Sequence, residues 1–383
     1  MLPHRSRKPG VPEPLARRPN HLFMNIVLAV GSAGLLLAIA ELGMRYLDRP
    51  RTVISGWRTT SETGPFNQAG WRGRPWRHRP ADFVVVMAGG DAVECPQCPP
   101  DETLDLILER ALRPHKPNAT VITLGSQGHG QDQAFLALQQ YLTRERADLI
   151  VVRASIAGDV PRNTFRSGQK QPGVTMLKPT YAPRGDQLLG PTDRIGQLVY
   201  RSKFSTLLHA PFTDLDRDWN ALLPPADPGA ATPPAGIAAQ TRTDEALETQ
   251  RTPWSVWMTP RPARVTYGIA LTRALFGAMQ RLATLHGARF AVLLTPSGTA
   301  SGPEGQANGP IALEHAGHWF VADPAARDAA IAEITKGFDP IILAAEDAKP
   351  PSLETERRLM ARLAEALNQR NLLTRLVPDR PRH

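Results

Sequence analysis

The stretch Phe83-Val-Val-Val-Met-Ala-Gly-Gly-Asp-Ala-Val-Glu94 decides the fold. Its first six residues are apolar without interruption. A strand with one wet face alternates, whereas a strand covered on both faces reads as a continuous apolar run, so Phe83–Ala88 is predicted to lie inside a parallel sheet. The Gly-Gly-Asp that follows marks a tight exit from the strand. Working outward, Asp101–Leu112 has apolar residues at helical spacing with acids in its first turn. Thr120–Leu124 is a second strand, Gln131–Arg144 a second helix and Asp148–Arg153 a third strand. The rhythm resumes with a helix over Val265–His286, a strand at Arg289–Leu294, a helix at Pro324–Lys336 and a strand at Ile341–Leu343. A closing helix over Ser352–Asn368 follows, with Ser352 as its N-cap. Such alternation predicts the α/β class, as a three-layer α/β/α sandwich around a parallel, flavodoxin-like sheet.

The rest of the chain frames this domain, which is expected to span 81–372. Residues 1–21 form a basic, Pro-rich tail. Residues 22–44 (LFMNIVLAVGSAGLLLAIAELGM) are apolar over about the length that crosses a bilayer as a helix. Arg5, Arg7, Lys8, Arg17 and Arg18 precede that run, which places the N-terminus in the cytoplasm and the domain outside it, although Arg45, Arg49 and Arg51 follow. The expected location is therefore the inner membrane, as a single-pass protein. A cleaved signal peptide is the competing reading, but the apolar run is long for one and no small-x-small cleavage site follows. Residues 45–80 read as a linker with Trp57, Trp71 and Trp76, and 165–260 as an irregular insertion with one helix near Ile195–His209. Residues 373–383 are a tail. The chain has 37 Pro and 30 Gly among 383 residues, which favours long connections over extra helices.

The net charge of +9 raises nucleic acid as a partner. Arg is scattered rather than striped and no nucleic-acid motif occurs, so that class is set aside. Part of the excess lies beside the apolar run, where it favours anionic lipid. The two cysteines stand in Cys95-Pro-Gln-Cys98. Three readings stay open: a disulfide-closed loop, two free thiols, or a thioredoxin-like redox pair with Cys95 at a helix N-terminus. A zinc site would need two further ligands, and none stands out, so no metal or other cofactor is expected.

In open parallel sheets the chemistry gathers at the carboxyl ends of the strands. The first strand is followed by Gly89-Gly-Asp-Ala-Val-Glu94, the second by Gly125-Ser-Gln-Gly-His-Gly130 and the third by Ala157-Gly-Asp-Val-Pro-Arg-Asn163. Upstream lies Asn67-Gln-Ala-Gly-Trp-Arg72, and downstream Lys178-Pro-Thr-Tyr181. In order and spacing, this series resembles the membrane-anchored SGNH (GDSL-type) hydrolases over about residues 40–370. The resemblance implies ester hydrolysis or O-acyl transfer on an acylated polysaccharide of the cell envelope. In that chemistry a Ser attacks the ester, a His accepts its proton and an Asp orients the His. Backbone N–H groups and an Asn amide hold the oxyanion.

Carried over residue by residue, the resemblance puts Asp91 at the nucleophile position, Gly125 at the oxyanion glycine and Gly158 where the oxyanion Asn belongs. Asp347 matches the orienting Asp, with no His after it, and Thr123 replaces the Asn before Gly125. Ser, Asn and His are thus absent together. A rearranged site would have to draw on His315 and His318 with Ser126, Ser155 or Ser297. The expectation is a degenerate, non-catalytic relative that binds an acylated glycan or an envelope protein. An active esterase or O-acyltransferase and a thiol oxidoreductase acting through Cys95 and Cys98 are the alternatives.

Overall fold

The computed structural model describes residues 21–47, 67, 70–171, 174–185, 187–192, 222–242, 247–295, 309–343 and 352–376. Helix α1 is His21–Leu47. The domain begins with β1 (Phe83–Gly89), α2 (Asp91–Glu94), α3 (Leu104–Leu112), β2 (Ala119–Gly125), α4 (Gln131–Leu142), β3 (Leu149–Ala154) and α5 (Ile156–Thr164). Short strands follow: β4 (Ser167–Gln171), β5 (Val174–Leu177), β6 (Thr180–Arg184), β7 (Gln187–Thr192), β8 (Ala238–Thr241) and β9 (Met258–Thr259). The chain ends with α6 (Ala263–Leu285), β10 (Arg289–Leu294), β11 (Ile311–His315), β12 (His318–Ala322), α7 (Pro324–Ile334), β13 (Ile341–Ile342) and α8 (Leu353–Gln369).

The central sheet has five strands in the order β2-β1-β3-β10-β13, and every neighbouring pair is parallel. Counted along the chain this is the 2-1-3-4-5 order of doubly wound proteins. The strands are mostly apolar because both faces are covered, with Thr120, Thr123 and Arg153 as buried polar members. Val84, Val86 and Ala88 join residues of α4 and α6 in one cluster, while Phe83, Val85 and Met87 join residues of α3 and α8 in another. Complete burial of one such side chain contributes roughly 1.5–3 kcal/mol. β1 pairs with β2 from Phe83↔Ala119 through Gly89↔Gly125, and Gly89 also pairs with Arg153 of β3. The three carboxyl ends are therefore level, and the segments 90–94, 126–130 and 155–159 meet at one edge.

Segments read as connections are packed more closely than their composition suggests. Trp71 and Trp76 are buried at 1% and 6% exposure, Trp76 edge-on to Tyr141. Within 165–260 the chain forms the hairpins β4–β5 and β6–β7, and a 3-10 turn over Pro253–Trp257 buries Trp254 and Trp257. The helix expected near Ile195–His209 lies outside the described residues. Ser352 does cap α8, accepting from Thr355 N at 3.2 Å.

A four-stranded sheet, β8-β11-β12-β9, lies apart from the parallel one. His315 and His318, the histidines offered for a rearranged site, lie in this second sheet, at the end of β11 and the start of β12. The two face each other across a tight hairpin. Ala316 and Gly317 at its turn both have positive φ, 50° and 79°, as a type I′ turn requires.

Helix α1 is 27 residues long. Its large apolar side chains are exposed all round: Met24, Ile26, Val27, Leu28, Val30, Leu35, Leu36, Leu37, Ile39 and Leu42. Among the described residues no helix is long and apolar enough to cross a membrane. On α1 itself side chains are described only for 24–40 and 42–43.

Candidate functional site

The site is the carboxyl edge of β1, β2 and β3. Close approach of the three turns there depends on glycine. A Cβ on Gly125 would stand 2.4 Å from Val93 Cβ, and one on Gly90 would stand 2.5 Å from the carbonyl oxygen of His129. A larger residue at either place would push α2 away from its neighbours.

Asp91 opens α2. Its Oδ1 accepts from the backbone N–H of Gly128, and its Oδ2 accepts from Arg162 Nη2 at 2.6 Å. Glu94 Oε2 accepts from the N–H of Gln127. The two carboxylates of α2 therefore hold the 126–129 turn in place, and Asp91 is also committed to a cation. The other end of the Arg162 guanidinium lies over Gly90 and Gly158. Its Nη1 would be 3.5 Å and 4.0 Å from a Cβ on each. A single arginine thus covers the places where the resemblance expects a nucleophile and an oxyanion amide.

Below this pair is a buried polar network. Asp159 Oδ2 accepts from Gln131 Nε2 at 2.7 Å and from Ser155 N at 2.9 Å. Burial pushes the Asp159 carboxyl up to about 6 against the opposing pull of Arg162. Asn163 Oδ1 accepts from Gln131 N at 2.7 Å, and Asn163 Nδ2 donates to Thr272 Oγ1 at 2.9 Å. Arg153 reaches from β3 to Glu356 on α8 with two bonds, 2.8 and 3.1 Å, and also donates to the carbonyl of Ala92 at 2.8 Å. Asp132 is paired with Lys178, which fixes the Lys-Pro-Thr-Tyr stretch against α4. Burial raises the Asp132 carboxyl and Lys178 opposes it.

Ser126 and Ser155 do come to this edge. Both hydroxyls are shielded from solvent and bond to nothing among the described residues. No serine hydroxyl is hydrogen-bonded to an imidazole among those residues. His129 is the histidine of this edge, with its ring buried and edge-on to Trp71 at 5.4 Å. His315 and His318 are in the other sheet, with His315 Nδ1 3.4 Å from the carbonyl of Arg242. Gly158 carries no side chain to take the missing amide's place. Ser297 and Asp347 lie outside the described residues. Arg162 was not singled out from the sequence. Its position on the far side of a helical turn gives no sign that it meets Asp91.

Cys95 and Cys98 form a disulfide, with Cα atoms 5.3 Å apart. Both are buried, at 0% and 2%, among Val93, Leu104 and Leu108. Arg72 fastens the loop by donating to the carbonyls of Glu94, Cys95 and Cys98. A redox pair needs its first sulfur open to attack by a thiolate, and this one is packed and clamped. No group of three or more His, Cys, Asp or Glu among the described residues is placed to hold a metal ion.

Chemically, the edge offers an anchored carboxylate–guanidinium pair and two shielded hydroxyls. Among the described residues it offers no activated nucleophile. No protein-family model matches the chain and no curated protein matches it either.

Proposed function

We propose that this chain is a membrane-tethered, SGNH-hydrolase-like protein of the cell envelope that binds an acylated glycan or an envelope protein without hydrolysing it. The observation that carries this reading is the Asp91–Arg162 pair, 2.6 Å apart at the nucleophile position. A carboxylate is a poor attacker of esters, and one neutralised by a guanidinium is poorer still. The order of the motif-like turns along one sheet edge supports descent from an ester hydrolase, and fold-level likeness alone does not carry activity with it. The exposed apolar side chains between Met24 and Leu42 of α1 support a tether in the inner membrane, with the domain on its outer side.

The test uses the full chain in detergent, given a chromogenic acetyl ester and, separately, O-acetylated envelope polysaccharide. The expected outcome is retention of the polysaccharide with no acetate release. Turnover abolished by Ser126→Ala or Ser155→Ala would overturn it and establish an active esterase with a rearranged site.

A further inference from the structure

At the opposite, amino-terminal end of the sheet, a cleft of about 840 Å³ opens between the 74–82 segment and the 113–120 turn. Its charged lining is Arg74, Arg77, Arg79 and Arg113 against Asp82 and Glu109, with His78 beside them. The two acids are already engaged. Glu109 pairs with Arg74 and Arg113 and accepts from Val121 N. Asp82 accepts from the backbone N–H of Arg79 and from Thr120 Oγ1. The guanidinium groups of Arg77 and Arg79 have no partner among the described residues, and both residues are exposed. Arg113 is 63% exposed and only loosely paired, at 3.5 Å. Two guanidinium forks, Arg77 and Arg79, thus line one concave space without an ion-pair partner among the described residues, beside the loosely paired Arg113, and four arginines outnumber the two acids of the lining. Guanidinium is planar, weakly hydrated and presents paired N–H donors, so several forks around one space match an oxyanion with three or four oxygens better than a single carboxylate.

We propose that this cleft is a binding site for a phosphate group. It is separate from the carboxyl-edge site and needs no assumption about hydrolysis. The same chemistry is presented by a free phosphate and by the headgroup of an anionic phospholipid, and the experiment tells the two apart.

Hydrogen–deuterium exchange is followed at residues 74–82 and 113–120 in the full chain, held in neutral-lipid nanodiscs. Inorganic phosphate is then added at ionic strength matched with chloride. In a parallel arm phosphatidylglycerol replaces part of the neutral lipid. Slower exchange in both segments with either addition is expected, and its loss in the Arg77→Gln/Arg79→Gln variant. Protection by phosphate alone assigns a soluble ligand, and protection by phosphatidylglycerol alone assigns the membrane surface. Unchanged exchange in both arms overturns the proposal, as does equal protection in the variant. Arg113→Gln serves as a second variant, and a circular-dichroism melt verifies that each one folds. Both variants change only exposed side chains.

Discussion

Arg162 Nη2 stands 2.6 Å from Asp91 Oδ2 and joins the start of α2 to the end of α5 across 71 residues of chain. Both side chains are about one-third exposed, 34% and 36%. Solvent screening therefore keeps the pair's contribution to stability small, on the order of 1 kcal/mol or less. Its effect is chemical: it neutralises the carboxylate and fills the space above Gly90 and Gly158. Arg162→Ala is predicted to lower the melting temperature by about 2 °C or less and to leave acetyl-ester hydrolysis at background. A melt and an ester assay on the same preparation check both halves. Hydrolysis appearing in the variant would mean that Arg162 masks a working site.

The Arg153–Glu356 pair behaves differently because both side chains are only 5% exposed. It ties β3 to α8, the helix that closes one face of the sheet. Glu356→Ala strands a buried guanidinium and is predicted to cost about 3–5 kcal/mol. Arg153→Met/Glu356→Leu removes both charges and should recover most of that loss. Chemical denaturation of the three proteins checks this, and equal stability of the single variant and wild type would contradict it.

Asp159 makes stability depend on pH. Its folded carboxyl is pushed up to about 6 by burial, whereas an unfolded Asp titrates near about 4. Between those values the folded protein holds more protons than the unfolded chain. Stability from this site is therefore fully present below about pH 4, falls as pH rises through the window and levels off above about pH 6. The whole change is on the order of 3 kcal/mol. Asp159→Asn should flatten the slope between pH 4 and 6. Denaturation curves at intervals across that range measure it, and an unchanged slope would show that Asp159 ionises as an ordinary surface acid.

The Cys95–Cys98 disulfide is predicted to be structural. Cys95→Ser/Cys98→Ser should cost about 2 kcal/mol, the small closure entropy of so short a loop. The wild-type protein should not accelerate insulin reduction by dithiothreitol. Acceleration lost in Cys95→Ser would restore the redox reading.

The parallel sheet was legible because burial on both faces leaves a plain mark. Phe83–Ala88 and Phe290–Leu294 are apolar runs, and the strands that hold them span 83–89 and 289–294. The helix expected from Asp101 starts at Leu104 instead, with Thr103 in extended backbone at its N-cap. The β11–β12 hairpin was missed because Ile311–His315 and His318–Ala322 are short, with only Ala316-Gly317 between them to signal a turn. Trp71 and Trp76 looked like linker residues because burial of an aromatic against a distant Tyr141 leaves no local periodicity. The carboxyl edge was legible as a place, through Gly90, Asp91 and Gly125, but its chemistry was not. Which cation answers Asp91 depends on the rotation of α5 about its axis, and no spacing in the sequence records that.

The proposed function rests on the inertness of Ser126 and Ser155. Its most direct measurement is the intact mass of the full chain, in detergent, after exposure to a fluorophosphonate. The mass is expected to stay unchanged. A stoichiometric adduct mapped to Ser126 or Ser155 would contradict it.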